Sequence, residues 1–214
     1  MQNHKNIKQK SLEWHQIKWG KIGGTLAKGL FVKSDTLFIN LLHQHIEEFE
    51  MHDSYENDAM ERGAELEPFA IEYLEKYLNI KFNATGWLQS DENELLGISP
   101  DGITDDETEC CEIKCFGGKK HTEIIHEDAI PLDNAHQLVH YFVVNAKLEK
   151  LHFFCYRPES KKNFYKCLTL ESEINLGTNA KPVVKKISEF VLEARKQAGI
   201  LKLLLAVAIS KLEF

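Results

Sequence analysis

Two short stretches, Ser99-Pro100-Asp101-Gly102 and Glu112-Ile113-Lys114, decide the fold that we expect for this chain of 214 residues. Side chains alternate between the two faces of a strand, so Glu112 and Lys114 project from the same face, roughly 7 Å apart. Asp101 lies between a proline and a glycine, a turn sequence that can return the chain antiparallel. That return is predicted to bring Asp101 beside Glu112.

The residue types in these stretches indicate metal-dependent cleavage of a phosphodiester. Asp101 and Glu112 supply carboxylate oxygens, the hard ligands that Mg²⁺ or Mn²⁺ prefers. Such a metal neutralises charge on the phosphate and lowers the pKa of a bound water. Lys114 could orient or deprotonate that water, or stabilise the transition state. Taken alone, a Glu-x-Lys sequence is also typical of a solvated charge pair, and Pro-Asp-Gly of an ordinary turn.

Two predicted helices add polar side chains to this set. The first opens at Gly63-Ala64-Glu65-Leu66-Glu67-Pro68 and carries an apolar stripe of Leu66, Phe69, Ala70, Tyr73, Leu74, Tyr77 and Leu78. Glu67 lies on the shoulder of this stripe, although a Glu in a first turn is also favoured by the helix dipole, a role that Glu65 fills equally well. In the second helix, Gln137 and Tyr141 are i, i+4 neighbours on the flank of a buried stripe. The simpler alternative for this pair is a hydrogen bond to a neighbouring element.

In this order and spacing, the motifs resemble those of the PD-(D/E)XK nucleases, and Gln137-x-x-x-Tyr141 is similar to the RecB-like branch. Within that branch, the chain looks like the lambda exonuclease and YqaJ viral recombinase group over roughly residues 12–158. The resemblance implies an α/β fold with a PD-(D/E)XK restriction-endonuclease-like core, in which helices flank a mixed central β-sheet. It implies Mg²⁺ or Mn²⁺ as cofactor, held by Asp101, Glu112, Glu67 and the carbonyl of Ile113. The implied catalytic residues are Asp101, Glu112, Lys114, Glu67 and Gln137.

The segment from Trp14 to Thr25 resembles the opening of the same family, with a Trp-His helix, a basic residue and a turn of small residues. The resemblance assigns Lys18 and Thr25 to the 5′-phosphate of the terminal nucleotide, and Tyr141 to the DNA-binding residues. The lambda-type enzymes have Arg where this chain has Lys18, and a lysine supplies a point charge in place of a bidentate fork. The alternative is that Gly23-Gly24 is only a turn and Thr25 a helix cap.

The function implied by the resemblance is that of a metal-dependent DNA exonuclease, which hydrolyses phosphodiesters from duplex ends, 5′ to 3′, in phage-type recombination. The implied partners are double-stranded DNA ends, a single-strand annealing protein and further copies of the chain in a ring-shaped trimer. Two alternatives are an endonuclease of the same superfamily and a non-catalytic DNA-binding recombination scaffold. The intact set of Glu67, Asp101, Glu112 and Lys114 argues against the scaffold.

Composition sets the outer bounds on these expectations. A hydrophobic content of 43% and a charged content of 28% are typical of an ordinary soluble globular protein. The net charge of −7 counts mildly against nucleic-acid binding, but basic residues gather near the predicted site and a metal would add positive charge there. Five cysteines, two of them adjacent, favour a reducing cytoplasm over a disulfide framework. No Cys precedes Cys110 and no Cys-x-x-Cys occurs, so neither an iron–sulfur cluster nor a zinc site is expected.

The N-terminus has no apolar signal segment, and the apolar run Ile200–Ile209 is too short to span a bilayer, so no membrane partner is expected. We predict that this run packs against the core or a partner subunit. One domain is predicted over 1–214, with N-terminal helices in 1–56, a catalytic core in about 57–171 and a C-terminal helix in about 174–210. Helices are predicted at 11–18, 23–31, 34–49, 57–78, 118–127, 134–146 and 183–205, the last with a break at Gly199 as an alternative. Strands are predicted at 80–90, 94–98, 101–104, 108–116, 148–157 and 163–171.

Overall fold

The computed structural model describes residues 1–51 and 58–212, so the predicted helix start at 57 and domain boundary at 56 lie outside the described residues. In chain order the elements are β1 (Gln2–His4), α1 (Leu12–Lys18), α2 (Ala27–Phe31), α3 (Asp35–Ile46), α4 (Asp58–Leu78), β2 (Trp87–Gln89), β3 (Gly97–Ile98), β4 (Gly102–Ile103), β5 (Glu109–Lys114), α5 (Gly118–Glu127), α6 (Leu132–Val144), β6 (Lys150–Cys155), β7 (Phe164–Leu168), β8 (Glu173–Asn175), β9 (Val184–Lys186) and α7 (Ile187–Ser210).

A four-stranded sheet in the order β4-β5-β6-β7 lies at the centre of the fold. Strands β5 and β6 run parallel, whereas β4 and β7 pair antiparallel with their neighbours. Parallel neighbours need a crossover connection, and α5 and α6 supply it between β5 and β6. The sheet is therefore mixed, as predicted.

The sequence of β6 predicts a strand covered on both faces, because Leu151, Phe153 and Cys155 alternate with His152, Phe154 and Tyr156. Leu151, Phe153 and Cys155 belong to the main hydrophobic core, which also contains α6 and α7 residues. Phe154 belongs to a second, smaller core with Ala70 and Leu74 of α4. The central sheet therefore has helices on both faces.

A second sheet, in the order β1-β2-β3, was not predicted as such. The N-terminal strand β1 pairs with β2, and the strands predicted at 80–90 and 94–98 are shortened to three and two residues. The N-terminal segment also lies close to the chain just before β2, because a Cβ at Gly86 would lie only 2.0 Å from the carbonyl oxygen of Ile7. The region predicted as N-terminal helices thus also contributes a strand.

The helix α4 differs from its predicted burial pattern. It continues through Pro68, and of the predicted apolar stripe only Ala70 and Leu74 are buried. Phe69, Tyr73 and Tyr77 are 48–64% exposed, in contrast to the prediction. The ring of Tyr73 stacks on Phe154 at 5.7 Å, so this side of α4 lies against β6 and stays partly open to solvent.

The C-terminal helix α7 runs without a break through Gly199, and residues 184–186 form β9 instead of its first turn. Ile187, Phe190, Ala194, Ala198 and Leu201 are among its buried residues, so one face packs on the core as predicted. Among the described residues, none of the helices has the length and apolarity needed to cross a membrane. The free cysteines are Cys110, Cys111, Cys115, Cys155 and Cys167.

Candidate active site

Asp101 lies beside the end of β5, as the turn sequence predicted. Strand β4 pairs antiparallel with β5, and the N–H of Asp101 donates to the carbonyl of Cys111 at 3.2 Å. The carboxylate oxygen Oδ2 of Asp101 accepts a hydrogen bond from the N–H of Ile113 at 2.6 Å. Gly102 permits this close pairing, because a Cβ there would lie 2.8 Å from the Sγ of Cys111.

The loop before Asp101 is held by side chains that sequence reasoning did not find. Gln9 donates through Nε2 to the carbonyls of Thr85 and Pro100, both at 2.9 Å. Trp14 donates through Nε1 to the Oγ of Ser99 at 2.7 Å. The partners are more than 75 residues apart in sequence, so no local pattern could have shown these contacts.

Glu112 is buried and accepts hydrogen bonds on both carboxylate oxygens. Its Oε1 accepts from Nζ of Lys114 at 2.5 Å and from Nε2 of Gln137 at 2.8 Å. Its Oε2 accepts from the hydroxyl of Tyr141. The spacing of Gln137 and Tyr141 on α6 thus directs both side chains at one carboxylate of β5, which is the hydrogen bond to a neighbouring element that was the simpler alternative for this pair.

Tyr141 differs from the expectation that it contacts DNA. Its side chain is 1% exposed, and its hydroxyl is directed at Glu112. Burial and the neighbouring carboxylates of Glu112 and Asp101 raise the pKa of Tyr141 well above its usual value. The phenol therefore stays protonated and acts as a hydrogen-bond donor beneath the site.

Three carboxylates and one lysine interact electrostatically at the site. Burial, followed by the charges of Glu112 and Glu67, raises the pKa of Asp101 well above its usual value. Burial and the charge of Glu112 raise the pKa of Glu67, while Lys10 and Lys114 oppose that shift. Burial lowers the pKa of Lys114, but Glu112 and Asp101 more than offset this, and the net shift is upward. Lys10, for which sequence reasoning proposed no role, thus lies near the same carboxylates.

The donor chemistry fits a hard divalent cation. Within residues 1–51 and 58–212, no three His, Cys, Asp or Glu side chains are arranged as a complete metal site. Even so, the charge of Glu112 raises the pKa of both Asp101 and Glu67, the charge of Glu67 also raises the pKa of Asp101, and a divalent cation relieves this kind of repulsion. Oxygen ligands of this type are those that Mg²⁺ and Mn²⁺ prefer.

A cavity of about 230 Å³, which we call the N-terminal cavity, contains both residues that were assigned to the 5′-phosphate. It is lined by His15, Lys18, Trp19, Lys21, Gly23, Thr25, Leu26, Gln44, Phe49, Glu50 and Met51. The Nζ of Lys18 lies 3.3 Å from the ring centroid of Trp14, and burial lowers the pKa of Lys18 to about 8. Thr25 is not a helix cap, because Leu26 occupies the N-cap of α2 and no side chain caps that helix.

The N-terminal cavity is connected to the carboxylates through Gln137. A Cβ at Gly24 would lie 2.9 Å from the Cγ of Gln137, so the Gly23-Gly24 turn packs directly on that side chain. Gln137 in turn donates to Glu112. The small residues of this turn thus allow the cavity to approach the carboxylates closely.

Comparison with known proteins agrees with this fold. The crystal structure of LHK-Exo in complex with dAMP covers 94% of this chain and 97% of its own, with a TM-score of 0.69 and 19% identity. The crystal structure of an alkaline exonuclease (LHK-Exo) from Laribacter hongkongensis has the same coverage, a TM-score of 0.67 and 20% identity. A phage related exonuclease from Haemophilus somnus 129PT covers 90% of this chain and 96% of its own, with a TM-score of 0.53 and 11% identity.

At these identities the solved structures establish the fold alone, and it is the predicted PD-(D/E)XK fold. No curated protein sequence matches significantly. The family model of the YqaJ-like viral recombinase domain matches residues 13–147, which is more than half of the chain. This match shows that the chain belongs to the YqaJ-like viral recombinase family.

Proposed function

We propose that this protein is an exonuclease dependent on Mg²⁺ or Mn²⁺, which digests duplex DNA from its ends in phage-type recombination. The observation that carries the proposal is the meeting of Asp101, Glu112, Glu67 and Lys114 at one end of β5, next to the N-terminal cavity. The names of the similar solved structures, two of which describe exonucleases outright, support the same activity.

In this proposal, Asp101, Glu112, Glu67 and the carbonyl of Ile113 would hold the metal. When bound, the metal would neutralise charge on the phosphate and lower the pKa of water. Gln137 and Tyr141 fix the orientation of the Glu112 carboxylate through their hydrogen bonds. Lys114 keeps a positive charge 2.5 Å from Glu112 and would stabilise the negative charge that develops on the phosphate.

End recognition is assigned to the N-terminal cavity. Lys18 is a half-buried cation that forms no ion pair with a carboxylate in the described part of the chain, and a terminal phosphate would supply one. Thr25 is exposed and would add a hydroxyl donor. Because a terminal phosphate carries up to two charges and an internal one carries one, this cavity would select 5′-phosphorylated ends and direct digestion 5′ to 3′.

Assembly is also part of the proposal. The main hydrophobic core joins residues from Ile22 to Leu205, which supports one nuclease domain from the N-terminal helices to α7. The exposed apolar side chains of α7, among them Leu203 and Val207, support a contact between copies of the chain, for which the family resemblance suggests a ring trimer. A single-strand annealing protein is the proposed partner for the strand that digestion leaves.

One assay distinguishes the proposed activity from its alternatives. Linear and covalently closed duplex DNA are incubated with the protein in Mg²⁺, in Mn²⁺ or in EDTA. We expect degradation of the linear form alone, and only with the divalent metal. Cutting of closed circles would indicate an endonuclease, and an absence of cleavage on both substrates would indicate a binding scaffold.

A further inference from the structure

Lys21 is a second cation in the N-terminal cavity and has no role in the function described above. It lines the cavity together with Lys18 and Thr25. Its Nζ donates to the carbonyl of Ile17 at 2.6 Å, in the last turns of α1. An ammonium group has three donors, so this contact leaves two of them available.

The backbone around Lys21 is held rigidly against α3. Gly20 has φ = +71°, a conformation that favours glycine, and a Cβ there would lie 2.9 Å from the Cε1 of His45. The N–H of Gly20 donates to the Oε1 of Gln44 at 3.0 Å. Gln44 also lines the cavity, so Lys21 is presented to the cavity by a fixed turn.

Lys18 and Lys21 are both partly desolvated, which lowers the pKa of each. In the described part of the chain, neither lysine forms an ion pair with a carboxylate. The charge of Glu94 opposes the lowering of the pKa of Lys21, but the Glu94 carboxylate itself pairs with Lys202 at 2.7 Å. Glu50 is exposed where it lines the cavity. An anion bound in this cavity would be attracted by both ammonium groups.

A buried donor in the same wall also lacks a partner. The Nε1 of Trp19 is inaccessible to solvent and has no hydrogen-bond partner among the described residues. Buried indole N–H groups normally donate to an acceptor. Because this N–H is closed to solvent, the groups of the cavity that suit an anion are the two lysines, neither of which forms an ion pair with a carboxylate in the described part of the chain.

We propose that Lys21 is a specificity residue for the 5′-terminal phosphate, and that Lys18 and Lys21 bind this phosphate together as two point charges. This inference rests on the proposed function and deepens it. By resemblance, the lambda-type enzymes have one arginine at the position of Lys18. The ammonium groups of Lys18 and Lys21 would replace the bidentate contact of its guanidinium. Two cations favour a dianionic phosphate monoester over a monoanionic diester or a free hydroxyl.

The test compares linear duplexes that differ only in a 5′-phosphate or a 5′-hydroxyl, with each strand labelled separately. For the wild type we expect faster loss of the 5′-phosphorylated strand. Lys21→Met should reduce the ratio of the two rates about tenfold, through KM more than kcat, since one charge-assisted hydrogen bond is lost. Lys21→Arg should retain most of the ratio, because it preserves the charge.

Lys181→Met is the matched control, because it removes one exposed charge from the segment between β8 and β9, which does not line the cavity. It should leave the ratio unchanged, and thermal melting should show that each variant is folded. If the wild type prefers 5′-phosphorylated ends and folded Lys21→Met keeps that preference, the role of Lys21 is refuted while the proposed function stands. If the wild type degrades linear DNA without regard to the 5′ group, end recognition by the cavity is refuted as well.

Discussion

At the scale of single residues, the hydrogen-bond donors around Glu112 determine the orientation of its carboxylate. The carboxylate is 2% exposed, and donors from β5 and from α6 fill both of its oxygens. A buried carboxylate held in this way has one orientation, because every alternative would leave a donor unpaired. Lys114, Gln137 and Tyr141 therefore position the group that we propose as a metal ligand.

The first prediction concerns Glu112→Gln. The substitution keeps the shape of the side chain but removes the ligand charge, so cleavage of linear DNA should fall by about three orders of magnitude or more. Single-turnover cleavage in Mg²⁺ measures the effect, with Glu149→Gln as a control at an exposed acid. Cleavage near the wild-type rate by a folded, nuclease-free preparation would contradict the assignment.

The second prediction concerns Lys114→Ala. If this lysine stabilises the transition state, turnover should fall by about two orders of magnitude while DNA affinity changes by less than about threefold. Affinity is measured by fluorescence anisotropy in Ca²⁺, which we expect to support binding without hydrolysis. Equal losses of binding and turnover would instead make Lys114 an anchor for the DNA phosphate.

At the scale of elements, α6 is anchored by a buried histidine on its inner face. His140 is completely buried, and its Nε2 lies 3.0 Å from the carbonyl of Ile22 and 3.2 Å from that of Gly97. Burial lowers the pKa of His140 to about 4, although both carbonyls oppose the shift. The neutral ring therefore joins α6 to β3 and to the segment that leads into the Gly23-Gly24 turn.

The third prediction is a pH dependence of stability that comes from His140. Between pH 6.5 and about 4 the unfolded chain binds a proton that the folded chain does not, so the free energy of unfolding falls as the pH falls. From pH 7.5 to pH 5 this one group should cost about 2 kcal/mol. Urea unfolding of the wild type and of His140→Gln measures it, because the variant lacks this titration.

The raised pKa values of Asp101 and Glu67 also make the free energy of unfolding depend on pH, so the difference between the two proteins is the quantity to follow. The wild type should lose its stability advantage over His140→Gln as the pH falls, and the advantage should level off above pH 6.5. A difference that stays constant from pH 7.5 to pH 5 would mean that His140 titrates alike in the folded and unfolded chains.

At the scale of the whole molecule, α7 presents two different faces. Its inner face packs on α2, α3 and α6, while the outer face keeps large apolar side chains in solvent. Leu192, Leu203 and Val207 are 72%, 69% and 53% exposed, respectively. A surface of this kind is typical of a contact with another protein.

The fourth prediction follows from that outer face. If it joins copies of the chain, the double variant Leu203→Asp and Val207→Asp should convert an oligomer into monomers, because each added carboxylate would be desolvated in the interface. Light scattering at micromolar concentration measures the mass, and the double variant Asn179→Asp and Ala180→Asp is a control with two added charges at exposed positions between β8 and β9. A wild-type protein that is already a monomer would remove both the ring and the processivity that a ring confers.

Local sequence patterns were enough to predict which side chains of the strands and of α6 lie on the same face. Alternation along β5 and β6, the Pro-Asp-Gly turn and the i, i+4 pair on α6 predicted which side chains share a face. These signals are local because backbone geometry repeats every two residues in a strand and every 3.6 in a helix. They were sufficient to predict the meeting of Asp101, Glu112 and Lys114, whereas the mixed sheet was expected from the family resemblance.

Tertiary packing decided the rest. The pairing of β1 with β2, the contacts of Gln9 with the loop before Asp101 and the packing of Gly24 on Gln137 join residues far apart in sequence. The exposure of Phe69 and Tyr77 likewise depends on what α4 packs against, which helical periodicity does not encode. Such contacts arise only when separate elements meet, because burial and close approach are properties of the assembled core and not of any one segment.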